Sequence, residues 1–404
     1  MNSMTNQLAI AVLMGLVASN LAFAEAAPDW NAETLSGDWN GTRSSLYDKG
    51  VAIRLTHKSD MLANISGGVS RGSSWLAHSE AKANLDLGKL AGWDATTAFV
   101  HYHIQHGGKS INNRTGSFAG VDNIESNTNA GQFFQAWLQK NSADDSMSIL
   151  AGLYAIDSEF YVTESSGLFL QPPYGMSAEM AQTGKNGPPI FPVGALAVRV
   201  KYAQSGFYLQ GALTDGVPGN PGNPQGTQIR LGKGDGTLAV MELGANLSVE
   251  GKSFDKTAFG LWRYSTSALD LTDKDASGNP LRRPDRGYYF LAERTLRPAL
   301  SGFVRFGAVN KDVYQAEWSG SLGLHYQVDE RDTAGIAVTT SHAGGKYRQI
   351  NKAKSSETTV EMTYRAQMRP WLAVQPMLQH IINPNMDAAL QDAWVAGMRL
   401  EAAF

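Results

Sequence analysis

The chain has 404 residues, 43% hydrophobic and 18% charged, with a formal net charge of -3 that excludes a strongly basic nucleic-acid binder. It contains no cysteine, which excludes disulfides, thiolate metal sites and thiol catalysis together. Mean hydropathy is -0.25 and no run of about 20 apolar residues follows the amino terminus, which excludes a helical membrane protein but not a β-barrel, where every second residue faces water.

Residues 8–24 are an apolar run closing on Ala22-Phe23-Ala24, a small-x-small pattern that reads as a secretory signal over 1–24, although no Lys or Arg precedes it. In the next segment, 25–50, Asp38 is placed to cap a short helix over 39–47 that Gly50 ends; a periplasmic position is expected for it. From 51 to 404, alternation and turn residues predict about sixteen strands, at 51–62, 74–88, 94–106, 132–140, 146–154, 194–202, 206–215 and 237–250, then at 257–265, 287–296, 301–308, 317–328, 332–341, 357–367, 371–381 and 394–404. The links between them alternate in length. Ala203-Gln204-Ser205, 251–255, Asp329-Glu330-Arg331 and Arg369-Pro370 are short, whereas 107–131, 155–193, 216–236, 266–286, 342–356 and 382–393 are long. One tight and one loose rim is the arrangement of outer-membrane barrels, with turns at the periplasm and loops outside.

Side chains sort the same way. Val198, Val200 and Tyr202 oppose Arg199 and Lys201; Met241 and Leu243 oppose Glu242; Met362 and Tyr364 oppose Glu361 and Arg365. In the last strand Trp394, Met398, Leu400 and Phe404 share one face, and a strand of about 9–11 residues is long enough to cross a tilted bilayer. The expectation is an all-β transmembrane antiparallel barrel whose apolar face meets lipid and whose charged face lines a wet bore, wide enough at this strand number for an aqueous channel.

Several segments resemble the carbohydrate-selective porin family of Gram-negative outer membranes (OprB type). They are Gly37-Asp38-Trp39-Asn40-Gly41 with Arg43, Leu85-Asp86-Leu87 through Leu90-Ala91-Gly92-Trp93, Ser166-Gly167-Leu168-Phe169-Leu170, and Gly194-Ala195 with 198–202. The most specific runs from Glu357 through Tyr364-Arg365-Ala366-Gln367, Pro370-Trp371 and Gln375-Pro376 to Gln379 and Ile381-Ile382-Asn383-Pro384. The resemblance implies a sixteen-stranded channel passing monosaccharides, narrowed by an inward-folded loop and charged bore residues. Met377 stands where it calls for an acidic residue.

Sugar hydroxyls need strong donors and acceptors, which Arg–carboxylate pairs supply, and pyranose C–H faces need an aromatic ring to slide on. Parity places Arg54, Lys58, Lys82, Arg199, Glu242, Arg305, Glu361, Arg365, Arg399 and Glu401 on the bore side; the plain alternative is that most are wall charges neutralising one another. Trp137, between Gln135 and Gln139, is a sugar platform or else an interfacial girdle residue. The longest loop, 155–193, either folds inward or caps the outside.

Other signals carry little. Gly68-Val69-Ser70-Arg71-Gly72 matches a hydrolase elbow without the strand-to-helix context. Asp273 and Asp275 begin like a calcium loop whose twelfth position is Pro284. His101 and His103 share a face, but no third ligand is apparent.

The expectation is therefore a non-enzymatic passive channel with no cofactor and no nucleic-acid partner, taking monosaccharides such as glucose as solutes and outer-membrane lipid as surroundings. A porin for small hydroxylated acids is the rival within transport; a barrel hydrolase or an adhesin is the rival from another class. Monomer and homotrimer both fit the strand pattern.

Overall fold

The computed structural model describes residues 27–126, 129–220, 222–247 and 254–404; the expected signal, 1–24, and positions 248–253 of the strand expected at 237–250 and the link expected at 251–255 lie outside them. Alternating segments pair with their chain neighbours into one closed antiparallel barrel of sixteen strands. These are β1 Val51–Ser66, β2 Gly72–Asp86, β3 Thr96–His106, β4 Gly131–Asn141, β5 Met147–Tyr154, β6 Ala195–Gln204, β7 Phe207–Asp215 and β8 Thr237–Asn246. The second half comprises β9 Asp255–Lys274, β10 Pro280–Arg297, β11 Leu300–Val309, β12 Ala316–Gln327, β13 Thr333–Ala343, β14 Ser356–Arg369, β15 Leu372–Ile382 and β16 Ala393–Ala403. β1 pairs with β16, Asp60 facing Arg399 and Met61 facing Met398, so no sheet edge is left open.

The predicted parity holds. Val198, Met241 and Met362 point outward at 50%, 51% and 46% exposure, while their neighbours Arg199, Glu242 and Glu361 point inward at 1%, 0% and 0%. An apolar outer surface continuous over sixteen strands is far larger than water-soluble proteins tolerate and calls for a lipid solvent. Exposed Trp75, Phe133 and Trp394 ring it toward the loose rim, and Tyr202, Phe207, Tyr326 and Tyr364 toward the tight rim. Such rings suit the two membrane interfaces, where one edge of the side chain is dry and the other wet.

Two expectations are corrected. Most of the long loop at 266–286 is instead a hairpin, because β9 runs on to Lys274 and β10 starts at Pro280. Both faces of this extension meet water, so hydropathy had nothing to sort. Lys346 braces it, its Nζ 2.8 Å from Asp270 and 2.9 Å from Asp273, and Asp275 turns the tip by accepting from the Ser277 and Asn279 N–H groups at 2.8 and 2.9 Å. The amino-terminal helix also begins later than 39: α1 is Trp30–Glu33 and α2 is Thr42–Asp48. Trp39 and Asn40 take positive φ angles that a helix cannot contain, and Asp38 accepts from the Ser44 N–H at 2.8 Å from outside the helix.

Arg43 shows why this segment adheres to the barrel. Its guanidinium lies 4.3 Å from the Trp30 ring and 4.5 Å from the Trp39 ring, and it donates to the carbonyls of Ile53 in β1 at 3.0 Å and of Phe404 at 2.8 Å. One buried cation therefore ties the amino-terminal segment to both strands of the closing seam. Arg43→Ala is expected to lower barrel stability by about 3–5 kcal/mol, the usual cost of removing one partner from a buried charged network. Urea unfolding of the detergent-folded protein checks this; a midpoint equal to that of the parent would refute it.

Candidate functional site: a bore crossed by two loops

Between β5 and β6 the chain leaves the wall and turns inward. A loop outside any sheet must find partners for its own N–H and C=O groups. Here the inward face of the barrel supplies them. Glu242 of β8 accepts from the Tyr161 N–H at 2.9 Å and from the hydroxyls of Tyr208 and Tyr289 at 2.6 and 2.7 Å. Glu293 of β10 accepts from the N–H groups of Glu164 and Ser165 at 3.1 and 2.8 Å. Glu361 of β14 accepts from those of Leu170 and Gln171 at 2.7 and 3.0 Å. Arg305 of β11 is the counterpart, donating to the carbonyls of Tyr161 at 2.8 Å, Gly175 at 2.6 Å and Tyr174. Arg199 of β6 holds the start of the loop, its Nε 2.8 Å from Glu159. β6 and β14 stand on opposite sides of the ring of sixteen, so the loop spans the bore rather than capping it.

The connection between β3 and β4 also folds in. Glu357 of β14 accepts from the Phe118 and Ala119 N–H groups at 2.7 and 3.0 Å, and Arg399 of β16 joins Asp60 at 2.6 Å to Asp122 at 3.2 Å. The Asn123 N–H donates to the Leu170 carbonyl at 2.7 Å, which links the two loops. Met377 lies in the apolar patch beneath them, packed in one cluster with Ile111, Val121 and Leu170. An apolar side chain suits 377 because the loop residues that cover it are themselves apolar.

Two loop carboxyls are strongly affected by burial. The Asp157 carboxyl, which accepts from the Phe191 N–H at 2.9 Å, is pushed up to about 6, and that of Glu125, which accepts from the Ile111 and Asn112 N–H groups, is pushed up to about 7. Both folded values exceed the unfolded ones of about 3.9 and 4.3, so the folded loops bind these protons more tightly than the open chain. Their stabilisation is full below about pH 4 and is lost as the pH rises through about 6 and 7. Hydrogen exchange at Ile111, Asn112 and Phe191, corrected for intrinsic rate, is expected to quicken between pH 5 and pH 8; a flat corrected profile would contradict it.

The residues expected to line a sugar path divide into two groups. Arg199, Glu242, Arg305, Glu361 and Arg399 face the bore, yet at 1%, 0%, 1%, 0% and 5% exposure they are sealed under the loops as anchors, not solvated wall charges. Lys58 is buried too, opposite Glu401. The wetter group lies toward the tight rim. Arg54 is exposed and stands opposite Lys82, whose Nζ is 2.9 Å from Glu80, and Arg365 is 3.5 Å from Glu401. Trp137 is half-buried on the bore side, tilted against Phe99 with centroids 5.0 Å apart and donating to Gln135 at 3.3 Å. Below the loop, at the tight rim, a cavity of about 490 Å³ is lined by Glu159, Lys201, Tyr208, Gln210 and Lys256 among others. A second of about 150 Å³ lies beside Glu179, Gln182 and Tyr314.

Sequence reading missed Glu293, Glu357 and Asp60, which the same parity would have found. It also missed Glu159 and Asp122, which lie in loops where parity says nothing. For His101 and His103 the structure supplies the third histidine that the strand alone did not show, His78 on the neighbouring strand.

Known proteins share this architecture. The chain is 22% identical over 433 residues to Porin B of Pseudomonas aeruginosa, covering 95% of this chain and 94% of that protein. It is 24% identical over 441 residues to Putative porin QuiX of Acinetobacter baylyi, with 97% and 98% covered. The high-pH structure of Pseudomonas putida OprB superposes with a TM-score of 0.83 at 22% identity, covering 94% of this chain and 100% of that one. The low-pH structure of the same protein gives 0.57 at 18% identity, over 93% and 99% of the two chains. Residues 71–404 match the family described as carbohydrate-selective porin, OprB family, so this chain belongs to that family of Gram-negative outer-membrane channels, which are not enzymes.

Proposed function

We propose that the chain is a passive diffusion channel for monosaccharides such as glucose, with the tight rim and segment 25–50 at the periplasm and the two inward loops forming the constriction. The observation that carries this reading is the cavity of about 490 Å³ under the loop, where Lys201, Lys256, Glu159 and Gln210 surround the Tyr208 ring. Its size falls in the range of about 300–1,000 Å³ typical of small-molecule sites. Donors and acceptors there replace water on sugar hydroxyls. None of these groups encloses a solute, which keeps binding weak enough for release.

Liposome swelling in isotonic glucose tests the proposal directly: protein-containing vesicles are expected to swell and protein-free ones not. The second reading, a porin for small hydroxylated acids, is favoured by Arg54 standing opposite Lys82, two cations side by side on the bore face. Such a pair concentrates anions at the mouth. For the sugar channel, Arg54→Ala with Lys82→Ala should move the zero-current potential in a salt gradient toward cations by tens of millivolts and leave glucose swelling within about twofold. Swelling with gluconate but not with glucose would replace the sugar reading by the acid one.

A further inference from the structure

We propose that the bore wall beside the long loop binds one first-row divalent transition cation, such as zinc, on His78, His101 and His103. In the pairing of β2 with β3, Glu80 stands opposite His103, and His78 and His101 lie one inward-facing position away on their own strands. Inward neighbours on adjacent strands are within side-chain reach of one another. One nitrogen from each of the three rings lies within 4.8 Å of the other two. A tetrahedral ion with bonds of about 2.0–2.1 Å sets its ligands roughly 3.4 Å apart, so the rings need close by no more than about 1.4 Å.

The second observation is an unmet need. His103 is 0% exposed and neither of its ring nitrogens has a hydrogen-bond partner; His78 is 4% exposed and its Nδ1 has none. Buried polar atoms without a partner are rare in folded proteins, and a bound ion is one of the few things that complete them. Glu80 supplies an outer-layer carboxylate for His78, its Oε2 lying 3.5 Å from His78 Nε2, and the same oxygen is 2.9 Å from His101 Nε2 without hydrogen-bond geometry. A carboxylate on the ring nitrogen that does not bind the ion fixes ring orientation and strengthens the ligand. Phe134 stacks on His103 at 5.4 Å and Phe191 of the long loop packs edge-on at 5.6 Å, which keeps competing water away. Three imidazoles favour zinc, copper, nickel or cobalt, whereas calcium and magnesium require oxygen ligands. An ion held here adds positive charge to the bore wall beside the returning end of the loop.

The test uses the full chain refolded into detergent with Co²⁺ present, so that entry past Phe191 is not limiting. One Co²⁺ per chain is expected, with the visible absorption of a four-coordinate nitrogen-rich site, bleached by added Zn²⁺. His103→Ala, and separately His78→Gln, should abolish stoichiometric binding, and Glu80→Gln should weaken it about 10–100-fold. X-ray absorption of the zinc-loaded unmodified protein, independent of how any variant folds, should show imidazole scattering. Failure to retain Co²⁺ after refolding, an oxygen-only shell, or unchanged binding by folded His103→Ala protein would overturn the proposal.

Discussion

Arg305→Ala is expected to free the long loop and turn a narrow, steady channel into a wider, flickering one. The guanidinium is buried, donates to the carbonyls of Tyr161, Tyr174 and Gly175, and lies 4.7 Å over the Tyr161 ring. That ring in turn stacks on Tyr289 at 4.0 Å. Truncation leaves the Tyr161 and Gly175 carbonyls without their donor and the Tyr174 carbonyl with the Ser166 hydroxyl at 2.7 Å, and opens a gap beneath the stack. Removing one partner from a buried charged network costs about 3–5 kcal/mol. That shifts the balance between docked and undocked loop by roughly a hundredfold or more, since each 1.4 kcal/mol is tenfold. Planar-bilayer recording should show higher mean conductance with frequent sublevels, and liposomes should begin to admit disaccharides. A single conductance level like that of the parent would show that the loop does not depend on Arg305.

Arg399→Ala should cost stability. Asp60 and Asp122 are 0% and 1% exposed, and the lost guanidinium serves both, at 2.6 and 3.2 Å, while donating to Asn123 at 2.7 Å. Two buried carboxylates left without their cation are worse than no ionic group at all, and the expected loss is about 3–5 kcal/mol. The seam between β1 and β16 would feel it first, because Asp60 and Arg399 face each other across it. Urea unfolding followed by heat-dependent gel migration reads the loss. Combining Arg399→Met with Asp60→Asn and Asp122→Asn should recover most of it, since the charges then disappear together. Recovery with Arg399→Met alone would mean that the carboxylates are not the source of the cost.

The barrel was legible because lipid and water impose opposite demands on neighbouring residues. Arg199 between Val198 and Val200, or Glu361 between Val360 and Met362, has one arrangement that keeps charge wet and hydrocarbon dry, and that arrangement is a strand with two solvents. The same contrast fades where both sides are aqueous, which is why 266–286 read as loop although β9 and β10 continue through it.

The purpose of the bore charges was less legible. Arg54 and Arg305 look alike in sequence, each a basic residue on the inward parity, yet one is exposed and the other lies beneath a loop. Nothing local separates them, because the difference is made by residues far away in the chain: Tyr161 reaches Glu242, and Leu170 reaches Glu361.

The amino-acid order alone therefore determined the closed wall: strand number, which face meets lipid, and the family resemblance, all properties carried by neighbours two residues apart. Only the tertiary structure decided how the interior is used, which carboxylates receive loop N–H groups and that His78 joins His101 and His103. Those pairings depend on where a long loop comes to rest and on the register between strands. Neither is written in the alternation of a single segment.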